Sequence, residues 1–561
     1  MAQVEQFERV GLEQRLPNSM EHSATLTAPQ QILHRDLIQE DATRDGEYVA
    51  NQTIKFNIKS DPDKMANLAG SFLKFKNKVT GTVNHDGSQA VTIDQWSLSL
   101  FRRLKFSIDG RLVEDIDGAN TVLSALFILY ANENSAEHLN SLTGEYKFAS
   151  TKSYDYGYNT FNIGDATAGG ATGAEVDFIR NRVATIERGM RLRDKGVFGI
   201  LERAGMRVGA NTFTNGENPV ANNGHNEVFK ANEDPDFEGS EFIVPLSLLF
   251  GMGRTLKALP VGNYGSWQIE ITLDSNENVF WASRSHLYHG ADGVAYTPKF
   301  TITEPKLYVE YLTVSNHYSA MLDSVMRAKS PEEGIVIHID SFNLIPRQAK
   351  VSSAGTQNTY VYTANKKYVK SITTFSKYDK MIDSLRYAGI SGFPSMEWEE
   401  LQLKIGSTLK PQRPLDSYRL AYAYNALETG SMGSLDWHNL QCNKRLFEEC
   451  NDLTVWGLND DGNAKADLRP ELNSASFGTH MVHFNLRRSR DDPHDLDGVD
   501  LTASASGQFS IIARKEKAGR VYSNAGETAI GNGENEGVTR YALIEYGISV
   551  QHYNESVAIE E

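Results

Sequence analysis

The sequence predicts an all-β protein built as two tandem antiparallel sandwiches, and three observations carry that prediction. Two long alternating apolar runs, residues 299–315 (KFTITEPKLYVEYLTVS) and 540–553 (RYALIEYGISVQHY), each close a strand-rich block. At 561 residues the chain exceeds the ~250–300 residues at which one core divides into two. Helical periodicity is brief and sits in connections, whereas a parallel α/β fold would place a helix between successive strands.

Residues 1–46 are polar, with few alternating apolar positions, and read as an N-terminal arm, either extended or a short amphipathic piece docked on a neighbour, regular strands beginning after it. The first sandwich is expected over residues 47–316. Residues 53–58 put Ile54, Phe56 and Ile58 on one face of a strand, and residues 72–79 repeat the alternation with Leu73 and Phe75. Asp109-Gly110 between apolar flanks (Leu104, Phe106, Ile108, then Leu112) predicts a two-residue hairpin. Residues 121–130 (TVLSALFILY) read as a helix capped by Asn120, and polar residues 135–142 follow. Residues 164–175 and 211–227 are rich in small and polar residues and belong on the surface. Strands return at residues 242–250, at 267–273 with Trp267, Ile269, Ile271 and Leu273 on one face, and at 299–315.

Residues 317–333 form a polar connector, and the second sandwich occupies 334–561 with the C-terminal tail. Its strands are expected at 335–344, 368–375, 398–405, 481–486, 509–513 and 540–553, with a tyrosine-rich helix at 416–428 and a Gly/Asn-rich loop at 518–537. The layout of strands, helix, long loop and strands occurs twice, although the halves do not align residue by residue. Eight-stranded jelly rolls tolerate long insertions at one end, so two of them in tandem, with short connecting helices and long surface loops, is the predicted architecture.

Composition excludes several classes. With 40% hydrophobic and 10% aromatic residues the chain buries real cores. No run approaches the ~20 apolar residues of a membrane helix, and MAQVEQFERV lacks a signal-peptide pattern, so a soluble protein made inside a cell is expected. Cys442 and Cys450, without zinc spacing, read as reduced thiols. A net charge of −16 argues against general attraction to nucleic acid or anionic membranes, and residues 1–45 hold four arginines against eight carboxylates. No sequence-specific nucleic-acid binding and no transmembrane segment are expected.

The sequence nominates no catalytic, cofactor-binding or metal-ligating residue, and the expectation is a non-enzyme. Phosphate-loop, zincin and nucleophile-elbow patterns do not occur; Gly251-Met252-Gly253-Arg254 lacks the third glycine of a dinucleotide site, and Gly430-Ser431-Met432-Gly433 has the wrong spacing for a nucleophile turn. Residues 491–500 (DDPHDLDGVD) could supply oxygens to calcium but depart from EF-hand spacing and read as a solvated loop; residues 459–463 (NDDGN) are weaker. His338 and His483 fall inside predicted strands and read as hydrogen-bonded core histidines. Arg180, Arg182, Arg188, Arg191, Arg193 and Lys195, against Glu187 and Asp194, read as a solvated helix face or a subunit contact ahead of a nucleic-acid patch. The sequons at Asn51 and Asn554 lack an accompanying secretory signal.

The order of several strings resembles the major capsid proteins of double jelly-roll viruses, most closely the polinton, adintovirus and virophage group. FNIKSDPDKMANLAGSFLKFKNKVT with LSLFRRLKFSIDGRLVED is similar to the family's opening; EFIVPLSLLFGMGRTLKALPVGNYGSWQIEITLDSNENVFW, the junction from EPKLYVEYLTVS into GIVIHIDSFNLIP, and RYALIEYGISVQHYN follow in its order. The long Gly/Asn-rich insertions depart from the shared core. The resemblance implies a homotrimer of double jelly rolls, pseudo-hexagonal in outline, that tiles an icosahedral DNA-virus shell beside neighbouring capsomers, a single jelly-roll penton protein and other minor capsid proteins. The virion is the implied location, assembled inside the host cell. Carbohydrate-binding or carbohydrate-cleaving tandem sandwiches, and a trimeric receptor-binding spike, are the competing readings.

Overall fold

The computed structural model describes residues 32–58, 64–82, 91–93, 97–130, 240–255, 266–282, 297–316, 335–351, 356–379, 398–416, 418–428, 481–487, 498–503, 507–516, 536–553 and 556–560, with a few single residues between them. The first half runs β1 (Ile32–Asp41), β2 (Tyr48–Val49), β3 (Thr53–Ile58), β4 (Lys64–Thr82), β5 (Val91–Ile93), β6 (Phe101–Ile108) and β7 (Arg111–Asp117) into helix α1 (Ala119–Tyr130). It continues with β8 (Ser240–Pro245), α2 (Leu246–Leu249), α3 (Gly251–Thr255), β9 (Trp267–Leu273), α4 (Asn276–Val279), β10 (Phe280–Ala282) and β11 (Thr297–Val314). The second half runs β12 (Ile335–Val351), β13 (Thr356–Thr363), β14 (Val369–Tyr378), β15 (Glu400–Ile405) and β16 (Thr408–Leu415) into α5 (Tyr418–Glu428). Then follow β17 (Met481–Asn485), β18 (Gln508–Glu516), β19 (Glu536–Tyr553) and β20 (Ser556–Glu560).

Four antiparallel sheets pair as β1-β11-β4-β8 and β3-β9-β6-β7 in the first half, and as β12-β19-β14-β17 and β13-β18-β15-β16 in the second. With the short β2, β5, β10 and β20 set aside, each half has eight strands; counted within its own half, each reads 1-8-3-6 in one sheet and 2-7-4-5 in the other. That interleaving is the jelly roll, and it occurs twice in one chain. The duplication extends to the helices, because α1 and α5 both follow the fifth strand and both precede a long segment, residues 131–239 and 429–480, that leads to the sixth.

Alternation dictates the inner faces. Ile54, Phe56 and Ile58 on β3 face Trp267, Ile269 and Ile271 on β9, all buried, and the Phe106 and Trp267 rings meet edge to face at 5.7 Å. Asp109 and Gly110 form the predicted turn, at φ 50° and 72°, the mirror-image geometry that hairpin twist favours. A register shift in the β6–β7 pair opposes Phe106 to Glu114 and Ser107 to Leu112, and the bulge leaves Leu112 exposed instead of on the apolar face.

Other expectations shift for local reasons. β1 pairs with β11 along nine residue partners from Ile32, so regular strand begins inside the segment read as an arm. The strand expected at residues 242–250 ends at Pro245, after which Leu246–Leu249 turns helical, since proline supplies no donor to extend the ladder. α1 begins one residue before Asn120, whose side chain accepts from the Thr121 amide at 2.8 Å and donates to Asp274 at 2.6 Å. β13, β16 and β20, and the short β2, β5 and β10, fall where the sequence predicts no strand. Residues 135–142, 164–175, 211–227 and most of the connector and of the loop at 518–537 lie outside the described residues.

Candidate assembly surfaces

The two jelly rolls meet along a joint made by β7, α1 and α3 of the first and the outer face of the β12-β19-β14-β17 sheet of the second. Contact is closest at Gly251, where a Cβ would stand 1.8 Å from the Asp340 carbonyl oxygen, so glycine alone lets α3 lie on β12. Glu114, wholly buried on β7, accepts hydrogen bonds from the amides of Gly251 at 2.9 Å and Met252 at 2.8 Å. Burial pushes its pKa up, against those two bonds and the charge of Arg254. The Arg254 guanidinium lies 4.7 Å from the Phe342 ring centroid, a cation-π contact across the joint.

Every residue of β14 is buried, although its sequence VKSITTFSKY is largely polar. The joint accounts for part of this, through Thr121 on Lys377, and the rest of that face is closed from within the second half, where Phe393 meets Phe375 edge to face at 4.7 Å and His483 meets Thr373. Lys377 donates to Thr121 Oγ1 on α1 at 3.3 Å and to the Ile390 carbonyl at 3.0 Å, with the Phe393 ring 5.0 Å away. Lys370 pairs with Asp340 at 2.5 Å, and Arg487 pairs with Glu545 at 2.8 Å and reaches Asp340 at 4.0 Å. Desolvation raises the Asp340 pKa, with Lys370 acting against it.

Inside the second sandwich Arg540 on β19 is ion-paired with Glu516 on β18, both buried. Tyr360 and Asn358 donate to the same carboxylate at 2.7 and 2.9 Å, and the Tyr362 hydroxyl donates to the Arg540 carbonyl at 3.1 Å. His483 on β17 is buried, its Nδ1 2.9 Å from Thr373 Oγ1, and desolvation, with Arg487 and Lys410 nearby, lowers its pKa to about 4. These are structural networks that tie strands and sheets together.

His483 is thus a hydrogen-bonded core histidine, and His338 lies half-buried on β12. Gly251 to Arg254 of the failed dinucleotide pattern become the joint. Asp500 caps its own turn, accepting from the Thr502 amide at 2.8 Å and the Ala503 amide at 3.2 Å. Asn51 sits in a turn at φ 65°. Cys442, Cys450, the basic stretch from Arg180 to Lys195, Gly430 to Gly433, residues 459–463 and 491–497, and Asn554 lie outside the described residues. Among the described residues no three His, Cys, Asp or Glu side chains are grouped to hold a metal ion, and no helix is long and apolar enough to cross a membrane. The sequence does not show the joint, because Gly251 and Asp340, which meet across it, stand far apart in the chain.

No protein-family model matches the chain, and no curated protein matches it. Solved structures similar to it across most of its length include a quasi-atomic model of the PBCV-1 virus capsid, at 9% identity and TM-score 0.47, covering 94% of this chain and 97% of that one. The Sputnik virophage structure is similar at 10% identity and TM-score 0.49, covering 94% and 89%. The mavirus major capsid protein is similar at 11% identity and TM-score 0.45, covering 93% and 90%.

Proposed function

We propose that this chain is the major capsid protein of an icosahedral DNA virus, assembling as a homotrimer whose six jelly rolls make a pseudo-hexagonal tile. The observation that carries the reading is the duplication: two sandwiches with the same strand order, each with a helix after the fifth strand and a long segment of sequence between that helix and the sixth strand. A chain that repeats one unit twice, joined along a packed seam, offers similar edges at successive positions of a ring, and threefold symmetry closes that ring with a single gene. The resemblance of its ordered strings to the polinton, adintovirus and virophage group supports the same reading.

Function is then geometric, and no reaction is required of it. Contacts within such a trimer bury roughly 2,000–5,000 Å2 or more and are more apolar than ordinary surface. Neighbouring capsomers, a penton protein and other minor capsid proteins are the partners, and the virion, assembled inside the host cell, is the location. Sedimentation of the purified chain with electron microscopy tests this: trimers of hexagonal outline are expected, and a monodisperse monomer overturns it.

A further inference from the structure

Both long sheets carry the same pattern on the face turned from their own core. In the second sandwich Pro346, Tyr541 and Phe375 form one cross-strand row, and Phe375 and Tyr541 stack at 5.3 Å and 19°. Neighbouring Arg540 points inward to Glu516, so Tyr541 points outward. Lys377 follows Phe375 by two positions, and Leu344 precedes Pro346 by two. In the first sandwich Gln39, Tyr308 and Phe72 form the corresponding row, and Phe72 and Tyr308 stack at 5.0 Å and 18°. Leu73 and Phe75 point into that core, so Phe72 points out. Lys74 follows Phe72 by two, and Leu37 precedes Gln39 by two. Since the strands hold equivalent places in the two jelly rolls, leucine, tyrosine, phenylalanine and lysine recur at equivalent positions.

The two faces differ in their cover. In the second sandwich the corner made by β7, Gly118 and α1 lies on the two ends of the pattern: a Cβ on Gly118 would stand 2.9 Å from Leu344, and Thr121, the third residue of α1, receives the Lys377 ammonium, while Phe393 of the same sandwich meets Phe375 between them at 4.7 Å. In the first sandwich Leu37 is 51% exposed, and Lys74 meets Glu241 at 2.9 Å at the surface. The covering corner also has a counterpart, formed by β16 and α5. Leu420, the third residue of α5, is 43% exposed, and Leu409 on β16 is 37% exposed. Pro411 and Pro414 keep β16 from recruiting another strand through a continuous ladder, so side-chain docking is left to this edge.

We propose that the β16–α5 corner of one copy covers the Leu37, Tyr308, Phe72 and Lys74 face of a second copy, repeating between chains the joint found within each chain. This rests on the shell reading and adds its contact surface. Each chain then offers one covering corner and one face to be covered, a head-to-tail contact that closes when the rotation closes.

The test is sedimentation velocity on the full chain and on Tyr308→Glu and Leu420→Glu, with far-UV circular dichroism to follow the fold. Each variant is expected to keep its fold and to associate roughly 100-fold more weakly than wild type. Tyr308→Glu combined with Leu420→Lys is expected to regain the trimer. Independently, Lys74→Cys with Leu420→Cys, the counterparts of the touching Lys377 and Thr121, is expected to give a disulfide between chains above the level of Lys74→Cys alone. A wild-type trimer that neither variant weakens, or that forms no such disulfide, overturns this surface and leaves the shell reading standing. A wild-type monomer overturns both.

Discussion

His483 and Arg540 show how single buried titratable groups set the stability of this fold. The folded His483 imidazole stays neutral down to about 4, whereas an ordinary histidine takes its proton near 6.5. Between those values the unfolded chain binds more protons, so stability falls as pH drops through the window, by on the order of 3 kcal/mol once pH 4 is reached. Glu114, Asp274 and Asp340, with raised pKa values, act with the opposite sign and gain as pH falls. Wild type therefore has to be compared with His483→Gln by urea unfolding at pH 7 and pH 4.5. The variant is expected to lose less stability between them, and equal losses would refute the assignment. For Arg540 and Glu516, removing one partner strands a buried charge and costs about 3–5 kcal/mol, while replacing both with methionine recovers most of it. A double-mutant cycle of denaturation free energies reads this directly, and additive losses would contradict it.

At the scale of elements, strands with clean alternation were legible in the sequence: TIKFNI and WQIEITL coincide with β3 and β9, and the Asp109-Gly110 turn falls where expected. The elements missed are those whose pattern is set by neighbours. β16 (TLKPQRPL) is an edge strand with two prolines and one buried residue, so no apolar row announces it. β14 is buried on both faces, and only the cover supplied by the first jelly roll together with Ile390 and Phe393 makes VKSITTFSKY suit such a place. β1 (ILHRDLIQED) reads as arm because its face toward water keeps Leu37 exposed while His34, Arg35 and Asp36 interrupt the pattern. The joint is a product of chain segments brought together, and Gly251 signals nothing until Asp340 lies against it. Because β1 pairs with β11 from Ile32 onward, the effect of N-terminal truncation depends on where it is cut. Removing residues 1–31 is expected to leave melting temperature and trimer intact while impairing shell formation. Removing residues 1–41 strips a whole ladder from β11 and is expected to lower the melting temperature by several degrees or more. Scanning fluorimetry with particle counting by electron microscopy separates the two, and identical behaviour of the truncations would show that β1 adds nothing.

For the whole molecule, the joint makes the two jelly rolls unequal in what they need. The first turns toward water a mixed face on which Lys74, Lys76 and Arg35 pair with Glu241, Glu304 and Glu310. The second has Phe342, Phe375, Lys370 and Lys377 on or around its covered sheet, and all four are buried only because the first is present or because the adjoining loop closes over them. Exposing such a face would open an apolar patch and leave two lysines without the contacts that accompany their burial. A chain divided just after the connector, immediately before β12, is therefore expected to behave asymmetrically. Residues 335–561 expressed alone should aggregate, and co-expression with residues 1–334 should bring them into the soluble fraction as a complex recovered through a tag on either half. Gly251→Ala in the first half should abolish that rescue, because the added Cβ would stand against the Asp340 carbonyl at the closest point of the joint. If the second half were soluble and monodisperse alone, with the far-UV spectrum of a folded β-sandwich, the joint would be a convenience of connectivity and could not serve as the template for contacts between copies.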